Sequence, residues 1–173
     1  LEPMIGVIGV APAAGEVSCG IPGVHGGNLD TNLIQENAEV FLPVWVEGGL
    51  LALGDLHALM GDGEIGISGA EAAGEVLIKI ELIKGLGLAG PLVRSGGVLA
   101  VLCSGESLDA AAKGAVETMV ELIRERTGKP AAEIAMLLSI AGKLAVSQAV
   151  NPLKTARFEM PLWLLEKYGF ALE

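Results

Sequence analysis

Five residues able to bind a metal or move a proton lie within residues 54–71 (GDLHALMGDGEIGISGAE), separated by glycines and apolar residues: Asp55, His57, Asp62, Glu64 and Glu71. Asp55 and His57 are two positions apart, so on an extended chain both side chains leave the same face. Residues 60–63 (MGDG) predict a turn, because Gly and Asp tolerate the backbone angles of a chain reversal. The turn brings Glu64 back towards Asp55 and His57. Carboxylates and an imidazole that converge at a strand end predict a divalent-metal site.

A second polar cluster lies at residues 25–30 (HGGNLD), in a glycine-rich loop before a similar apolar strand. It contributes His25, Asn28 and Asp30 as candidate site residues. Polar groups on such loops are common sites of binding and catalysis. A plain surface turn at Gly-Gly-Asn is the alternative for this cluster.

Both clusters also have a simpler interpretation, since acidic residues near glycine-rich turns are commonly solvated turn formers. Metal binding is favoured because the acids of residues 54–71 alternate with Leu, Met and Ile, and because His57 shares a face with one of them. The position of Glu71 stays open. Strict alternation from Glu64 places it on the opposite face, unless Gly69 marks a bulge that changes the phase.

The charge balance bounds the class of ligand. The 173 residues carry 21 acids against 11 bases, a net charge of −10, which argues against a basic nucleic-acid surface. Aromatic residues make up 3%, too few for a surface that stacks bases or sugars. A metal, or a neutral or cationic ligand, fits this composition better.

The cysteines and the hydropathy pattern bear on location. Cys19 and Cys103 form no CxxC pair, and two scattered cysteines are typical of reduced thiols in a cytoplasmic protein. No apolar run approaches the ~18 residues of a membrane span. Residues 1–15 are apolar but carry Glu2 where a signal peptide has basic residues, and they predict a strand. We therefore expect a cytoplasmic protein.

The hydrophobic pattern predicts strands first and helices later. Apolar or alternating runs predict strands over residues 4–10, 38–46, 50–57, 64–71, 76–83 and 97–103, with the second at a sheet edge because it contains Pro43. Helical spacing follows Ser107 as far as Gly128, and a second helix starts at Pro130 and ends near Gly142. A strand over 144–150 and a short helix over 160–168 complete the chain. This order predicts one α+β domain, mostly β with the site over 1–103 and mixed over 104–173, with sandwich- or barrel-like sheets followed by two helices, a strand and a short C-terminal helix.

Four segments together resemble the acetamidase/formamidase family: GGNLD, LPVWVEGG, GDLHALMGDGEIGISGAE and, near the C-terminus, SQAVNPLKTARFEMPLWLLEKYG. The resemblance implies a β-rich amidase with a divalent-metal site that hydrolyses formamide or acetamide to carboxylate and ammonia, and that associates as a homo-oligomer. Family members are longer, and the matching part is their C-terminal portion. The expected partners are therefore a small amide, further copies of the chain and an N-terminal segment of the same protein.

Carried onto this sequence, the resemblance implies roles for the two clusters. His25, Asn28 and Asp30 become one wall of the site, while Asp55, His57 and Glu64 become ligands or acid–base residues. The candidate metal ligands are His25, Asp30, Asp55, His57 and Glu64, with zinc as the expected ion and calcium as the alternative. The candidate catalytic residues are Glu64 and Asp55. The candidate substrate-binding residues are Asn28, Asp62 and Glu71.

Other functions remain as alternatives. A non-catalytic metal-binding or assembly module could share this fold without its N-terminal half. A cysteine nucleophile at Cys19 is disfavoured because no Glu/Lys/Cys constellation accompanies it. A metal-dependent cyclase or formamidase of another fold has a signature similar to VHGGNLD, but it requires more histidines than the two present.

Overall fold

Two antiparallel sheets and three helices make up the described part of the chain, residues 1–172, in this computed structural model. In chain order the elements are β1 (Met4–Gly9), β2 (Gly26–Asn28), β3 (Glu39–Phe41), β4 (Ala52–His57), β5 (Leu92–Ser95), β6 (Val98–Gly105), α1 (Leu108–Thr127), α2 (Ala131–Ala141), β7 (Lys143–Gln148), β8 (Lys154–Pro161) and α3 (Leu162–Lys167). One sheet has the order β2-β1-β4 and the other β3-β5-β6-β8-β7. The α+β class is confirmed, and within residues 1–172 neither sheet closes into a barrel.

The five-stranded sheet is the central layer, because its two faces contact different cores. Along β6, Leu99 and Val101 point towards α1 and α2, while Ala100 and Leu102 point towards the three-stranded sheet. This alternation is the two-residue period of a strand that is buried on both sides. Each large apolar side chain buried in these cores contributes about 1.5–3 kcal/mol. The three-stranded sheet, which carries the candidate site, therefore packs against a layer that is buried on both faces.

Helix α1 begins and ends where the sequence predicts. The Ser107 side chain accepts a hydrogen bond from the Ala110 amide, and Gly128 ends the helix in a left-handed conformation with φ of 67°. The helix packs Ala115, Met119 and Ile123 against the five-stranded sheet. None of the helices in residues 1–172 is both long and apolar enough to cross a bilayer.

The strand predicted over residues 64–71 is wrong. The segment contains turns, a bend and irregular backbone, and the left-handed φ angles of 46° at Glu64 and 71° at Ile67 interrupt the extended conformation. It is bonded to the residues just after β4, through the bond from the Ala58 amide to the Ala70 carbonyl and the one from the Ala70 amide to the Leu59 carbonyl. His57 and Glu71 form an isolated bridge at the same place.

The strand predicted over residues 76–83 (VLIKIELI) is also wrong, since the segment has no regular structure and is exposed throughout. Its alternating pattern suits a strand, but no described strand lies beside it to accept its hydrogen bonds, and a strand requires such a neighbour.

The remaining differences concern element boundaries and three strands that were not predicted, β2, β5 and β8. β8 takes the first two residues of the helix predicted over 160–168, so that α3 begins at Leu162. The strand predicted over 38–46 shortens to β3, an edge strand as expected from Pro43. The strand predicted over 144–150 becomes β7 and ends at Gln148.

Candidate metal centre

The candidate site is built around Gly6 in β1, the middle strand of the three-stranded sheet. The carbonyl of Gly6 accepts a hydrogen bond from the amide of Asp30 at 3.1 Å. On the other side, β4 pairs with β1 so that Asp55 lies beside Gly6. A Cβ atom at position 6 would lie 2.6 Å from Asp30 Oδ1 and 2.7 Å from Asp55 Oδ2. Only glycine therefore allows the two carboxylates to approach each other over the strand.

Three buried side chains from separate segments converge next to this strand. Asp30, His57 and Glu64 each offer one potential ligand atom, and these atoms all lie within 4.8 Å of one another. The side chains of Asp30 and His57 are 1% exposed and that of Glu64 is 6% exposed. A buried set of two carboxylates and one imidazole has the composition of a divalent-metal site.

A second, more exposed group shares the same histidine. Asp55, His57 and Glu71 also have ligand atoms within 4.8 Å of one another. Nε2 of His57 lies 3.1 Å from Glu71 Oε1 and 3.5 Å from Asp55 Oδ1. Asp55 and Glu64 thus each approach His57 but belong to different groups. His57 is the residue around which all four carboxylates are arranged.

The buried atoms of this centre lack hydrogen-bond partners. Among residues 1–172 none forms a hydrogen bond to Asp30 Oδ1, Glu64 Oε2 or either ring nitrogen of His57. The 3.1 Å approach of Glu71 to His57 does not have hydrogen-bond geometry. An unpaired buried polar atom typically costs about 1–3 kcal/mol. A cation could be the common partner of the two carboxylate oxygens and of one ring nitrogen of His57, so the residues present fit a metal.

Electrostatics in the centre favour either a proton or a cation. Burial, together with the nearby Asp30 charge, raises the pKa of Glu64 to about 7, while His57 opposes the shift. Burial also raises the pKa of Asp30, and the hydrogen bond from Asn151 opposes that rise. A protonated Glu64 can donate to Asp30. The two acids therefore share one proton readily, and a bound cation can replace it.

Three of the carboxylate residues have left-handed backbones. The φ angles of Asp30, Asp55 and Glu64 are 43°, 57° and 46°. Such conformations cost on the order of 1–3 kcal/mol each and persist where the surrounding structure holds them. Their concentration around His57 indicates that the fold holds these carboxylates in place despite the backbone strain.

The other predicted site residues lie elsewhere or have other partners. His25 belongs to neither metal-capable group; its ring packs against Gly23 and Gly27 near the far end of β1, and burial lowers its pKa. Asn28 has a buried Oδ1 atom without a partner in the described chain. Asp62 accepts hydrogen bonds from other side chains, described below. Glu71 is half-exposed and accepts from the Ser68 hydroxyl at 2.9 Å.

Two residues of the centre were missed from sequence. Asn151, in the turn after β7, donates from Nδ2 to Asp30 Oδ2 at 2.7 Å. Arg157, on β8, is 2% exposed and pairs with Asp62. Both lie in the C-terminal motif that carries the resemblance. An arginine and a glutamate that alternate with apolar residues, at positions 157 and 159, were the available signal for an ion pair on this strand.

Comparison with known proteins assigns the family. A profile described as the Acetamidase/Formamidase family matches residues 3–161. The chain belongs to the acetamidase/formamidase family.

Members of this family with known structures share the fold described above. The chain is 58% identical, with a TM-score of 0.97, to a recombinant predicted acetamidase/formamidase from the thermophile Thermoanaerobacter tengcongensis, over 99% of this chain and 57% of that one. It is 50% identical, with a TM-score of 0.89, to an acetamidase from Bacillus halodurans, over 98% of this chain and 57% of that one.

Among the curated relatives, a formamidase from Methylophilus methylotrophus is 48% identical over 64 residues, which are 36% of this chain and 16% of that protein. The chain thus spans little more than half the length of its solved family members.

Proposed function

We propose that this chain carries the metal-binding and acid–base residues of an amidase that hydrolyses short aliphatic amides, such as formamide and acetamide, to carboxylate and ammonia. The observation that carries the proposal is the buried group of Asp30, His57 and Glu64, whose facing atoms lack hydrogen-bond partners in the described chain. Membership of the acetamidase/formamidase family supports the reaction class.

The proposed cofactor is zinc, held by Asp30, His57 and Glu64, with Asp55 and Glu71 close enough to complete or exchange the coordination. An imidazole with carboxylates is a common zinc ligand set, whereas calcium prefers oxygen ligands alone. When bound, a divalent metal polarises an amide carbonyl and lowers the pKa of a bound water towards ~7.

Glu64 is the proposed general base, in the arrangement in which Asp55 or Glu71 takes its place in the zinc coordination. Its carboxylate takes a proton from the attacking water and delivers it to the amide nitrogen, which leaves as ammonia. A base works best when its pKa lies near the working pH, and burial together with Asp30 raises the pKa of Glu64 to about 7. A bound cation opposes that rise and keeps the base ionised. Should Glu64 be a permanent ligand, Asp55 is the base, because it lies beside His57 and is partly open to solvent.

The apolar surface beside the site supports a partner for this chain. Ile65 and Ile67, next to Glu64, are 80% and 73% exposed, and Leu77 in the segment 76–83 is fully exposed. Exposed apolar surface and unpaired backbone are typical of a protein interface. A family member of known structure matches 99% of this chain with a TM-score of 0.97, and this match covers only 57% of that longer chain. We infer that residues 76–83 pair with the N-terminal segment of the same protein, with a second copy of the chain as the other outcome.

Two measurements test these proposals. Residues 1–173, alone and joined to the N-terminal segment of a full-length family member, are loaded with zinc and assayed for metal content and for ammonia release from formamide. We expect both forms to bind zinc and only the completed form to release ammonia at enzymatic rates. Zinc binding without ammonia release in either form would favour a non-catalytic metal-binding module. Absence of zinc from both would contradict the proposed cofactor.

A further inference from the structure

An ion pair between buried Arg157 and half-exposed Asp62 links the turn that carries Glu64 to the five-stranded sheet. Nη1 of Arg157 donates to Asp62 Oδ1 at 2.8 Å, and Nη2 donates to Oδ2 at 2.9 Å. Nε of the same guanidinium donates to Glu159 at 2.7 Å. Two parallel hydrogen bonds to one carboxylate fix its orientation as well as its distance. Asp62 therefore has a defined position relative to β8.

The backbone of the same turn is fixed to the neighbouring strand. The Gly63 amide donates to the carbonyl of Ser147 at 3.0 Å, and the Gly63 carbonyl accepts from the amide of Ala149 at 3.0 Å. Glu64 follows directly, in its left-handed conformation. A residue held in such a conformation relaxes unless its surroundings prevent it. The side-chain bonds of Asp62 and the backbone bonds of Gly63 fix the two residues that precede Glu64.

Asp62 also contacts the loop that carries the second acid of the centre. Asn32 follows Asp30 by two residues, and its side-chain amide donates to Asp62 Oδ1 at 2.9 Å. One carboxylate thus connects the Glu64 turn, the Asp30 loop and Arg157. Neither Asp62 nor Arg157 belongs to a metal-capable group in the described chain.

We propose that Asp62 and Arg157 are positioning residues, which set the spacing between Glu64 and Asp30 without touching metal or substrate. The inference rests on the proposed function, because it concerns the same metal centre. It assigns to Asp62 a role different from the substrate contact expected from the sequence, since its oxygens already have protein partners. Residues that orient metal ligands control affinity, and their loss typically costs about 10- to 100-fold in metal binding.

Cobalt(II) is the probe for the first measurement, made on the full chain. The variants are Asp62→Asn, Arg157→Gln and the double variant, with Glu39→Gln as the matched control. Glu39 pairs with a different arginine, Arg94, at the opposite edge of the same sheet. We expect the cobalt dissociation constant to rise about 10- to 100-fold in both single variants, with an altered visible spectrum. The double variant should lose no more cobalt affinity than the more weakly binding single variant, because the pair acts as a unit. The control should bind as the wild type does.

Amide hydrogen exchange provides a second measurement that needs no metal. The amides of Gly63 and Glu64 should exchange faster in Asp62→Asn than in the wild type or in Glu39→Gln. Wild-type exchange and wild-type cobalt affinity in a folded Asp62→Asn chain would overturn the inference. If the wild type binds no cobalt, the proposed function fails, and exchange alone decides whether the turn is positioned. If Arg157→Gln does not fold, Asp62→Asn, which keeps the side-chain size, carries the test.

Discussion

The side-chain amide of Asn151 donates a 2.7 Å hydrogen bond to the Asp30 carboxylate across 121 residues of sequence. Asn151 is itself held, because its backbone amide donates to the Gln148 side chain at 2.9 Å. The two acids of the buried candidate group are thus each contacted from the five-stranded sheet or the turn after β7: Asp30 by Asn151, and the Glu64 turn by Arg157 and Ser147. The two sheets together, and not the loops that carry Asp30 and Glu64 alone, define the geometry of the candidate centre.

Replacing Asn151 by alanine should weaken zinc binding. The hydrogen bond from Asn151 opposes the rise in the Asp30 pKa, so its loss leaves Asp30 more readily protonated. We expect the zinc dissociation constant at neutral pH to increase about 10- to 100-fold, as measured by competition with a chromophoric chelator. Gln35→Ala, which removes an exposed carboxamide, is the control. An unchanged zinc affinity in Asn151→Ala would show that the hydrogen bond from Asn151 does not contribute to zinc binding by Asp30.

The Glu64→Gln variant shows whether Glu64 acts as the general base or as a metal ligand. It keeps the size of the side chain and removes its charge. In the completed amidase, we expect kcat for formamide to fall by about 10²–10⁴. Zinc content measured on the same samples decides the role: nearly full occupancy indicates a base, and a marked loss indicates a ligand. Full activity in this variant would exclude Glu64 from the mechanism.

The metal-free protein should lose stability as the pH rises towards neutrality. Burial raises the pKa of folded Glu64 from 4.5 to about 7, with the nearby Asp30 charge adding to the shift. The neutral form is therefore favoured by folding. The associated stability is complete below pH 4.5 and is lost as the pH rises through about 7. Thermal melts in EDTA at several pH values measure this dependence. The difference between wild type and Glu64→Gln isolates it from other groups, and a difference that does not vary between pH 4.5 and 7 would contradict it.

Zinc should reverse that pH dependence. Carboxylates and imidazole bind a metal in their deprotonated forms, so binding releases protons and strengthens as the pH rises. We expect the increase in melting temperature on adding zinc to grow between pH 5 and 7, over about the range in which the metal-free protein weakens. A zinc-induced shift that is the same at both ends of this range would indicate binding away from Asp30 and Glu64.

The local patterns in the sequence predicted what local geometry determines. The two-residue spacing of Asp55 and His57 predicted a shared face, and their side chains lie 3.5 Å apart. Ser107 and Gly128 marked the ends of α1 because capping depends on a few adjacent residues. By contrast, the segment 76–83 has the alternation of a strand but no neighbour in the described chain, and alternation cannot supply one.

Long-range contacts account for most of what the sequence did not predict. Asp30 meets His57 and Glu64 because both Asp30 and Asp55 fold over Gly6, a relationship no local spacing encodes. The contact between Asn151 and Asp30 depends on how the two sheets pack. Similarly, Glu64 was expected at the start of a strand, whereas its left-handed backbone directs the side chain into the buried centre.

Gly6→Ala tests whether the close approach over β1 creates the metal centre. The added methyl group would lie 2.6 Å from Asp30 Oδ1, 2.7 Å from Asp55 Oδ2 and 2.9 Å from the Asp55 carbonyl oxygen. The carbonyl belongs to a paired strand and cannot move as a side chain can. We expect a loss of about 1–3 kcal/mol in the free energy of unfolding, typical of overpacking. Zinc affinity should fall as well, because the two carboxylates are forced apart.

Gly54→Ala is the matched control for this prediction. Gly54 lies on β4, directly opposite Val7 on β1, and no described atom lies within 4 Å of a Cβ atom placed there. Alanine at this position should leave zinc affinity unchanged and alter the free energy of unfolding by less than about 1 kcal/mol, with any gain arising from a less flexible unfolded chain. Urea denaturation gives the free energy of unfolding, and zinc titration gives the zinc affinity. Equal effects of the two substitutions would mean that strand flexibility, and not the space over Gly6, controls the centre. A selective loss of zinc in Gly6→Ala would show that the absent side chain at position 6 allows Asp30 and Asp55 to approach His57.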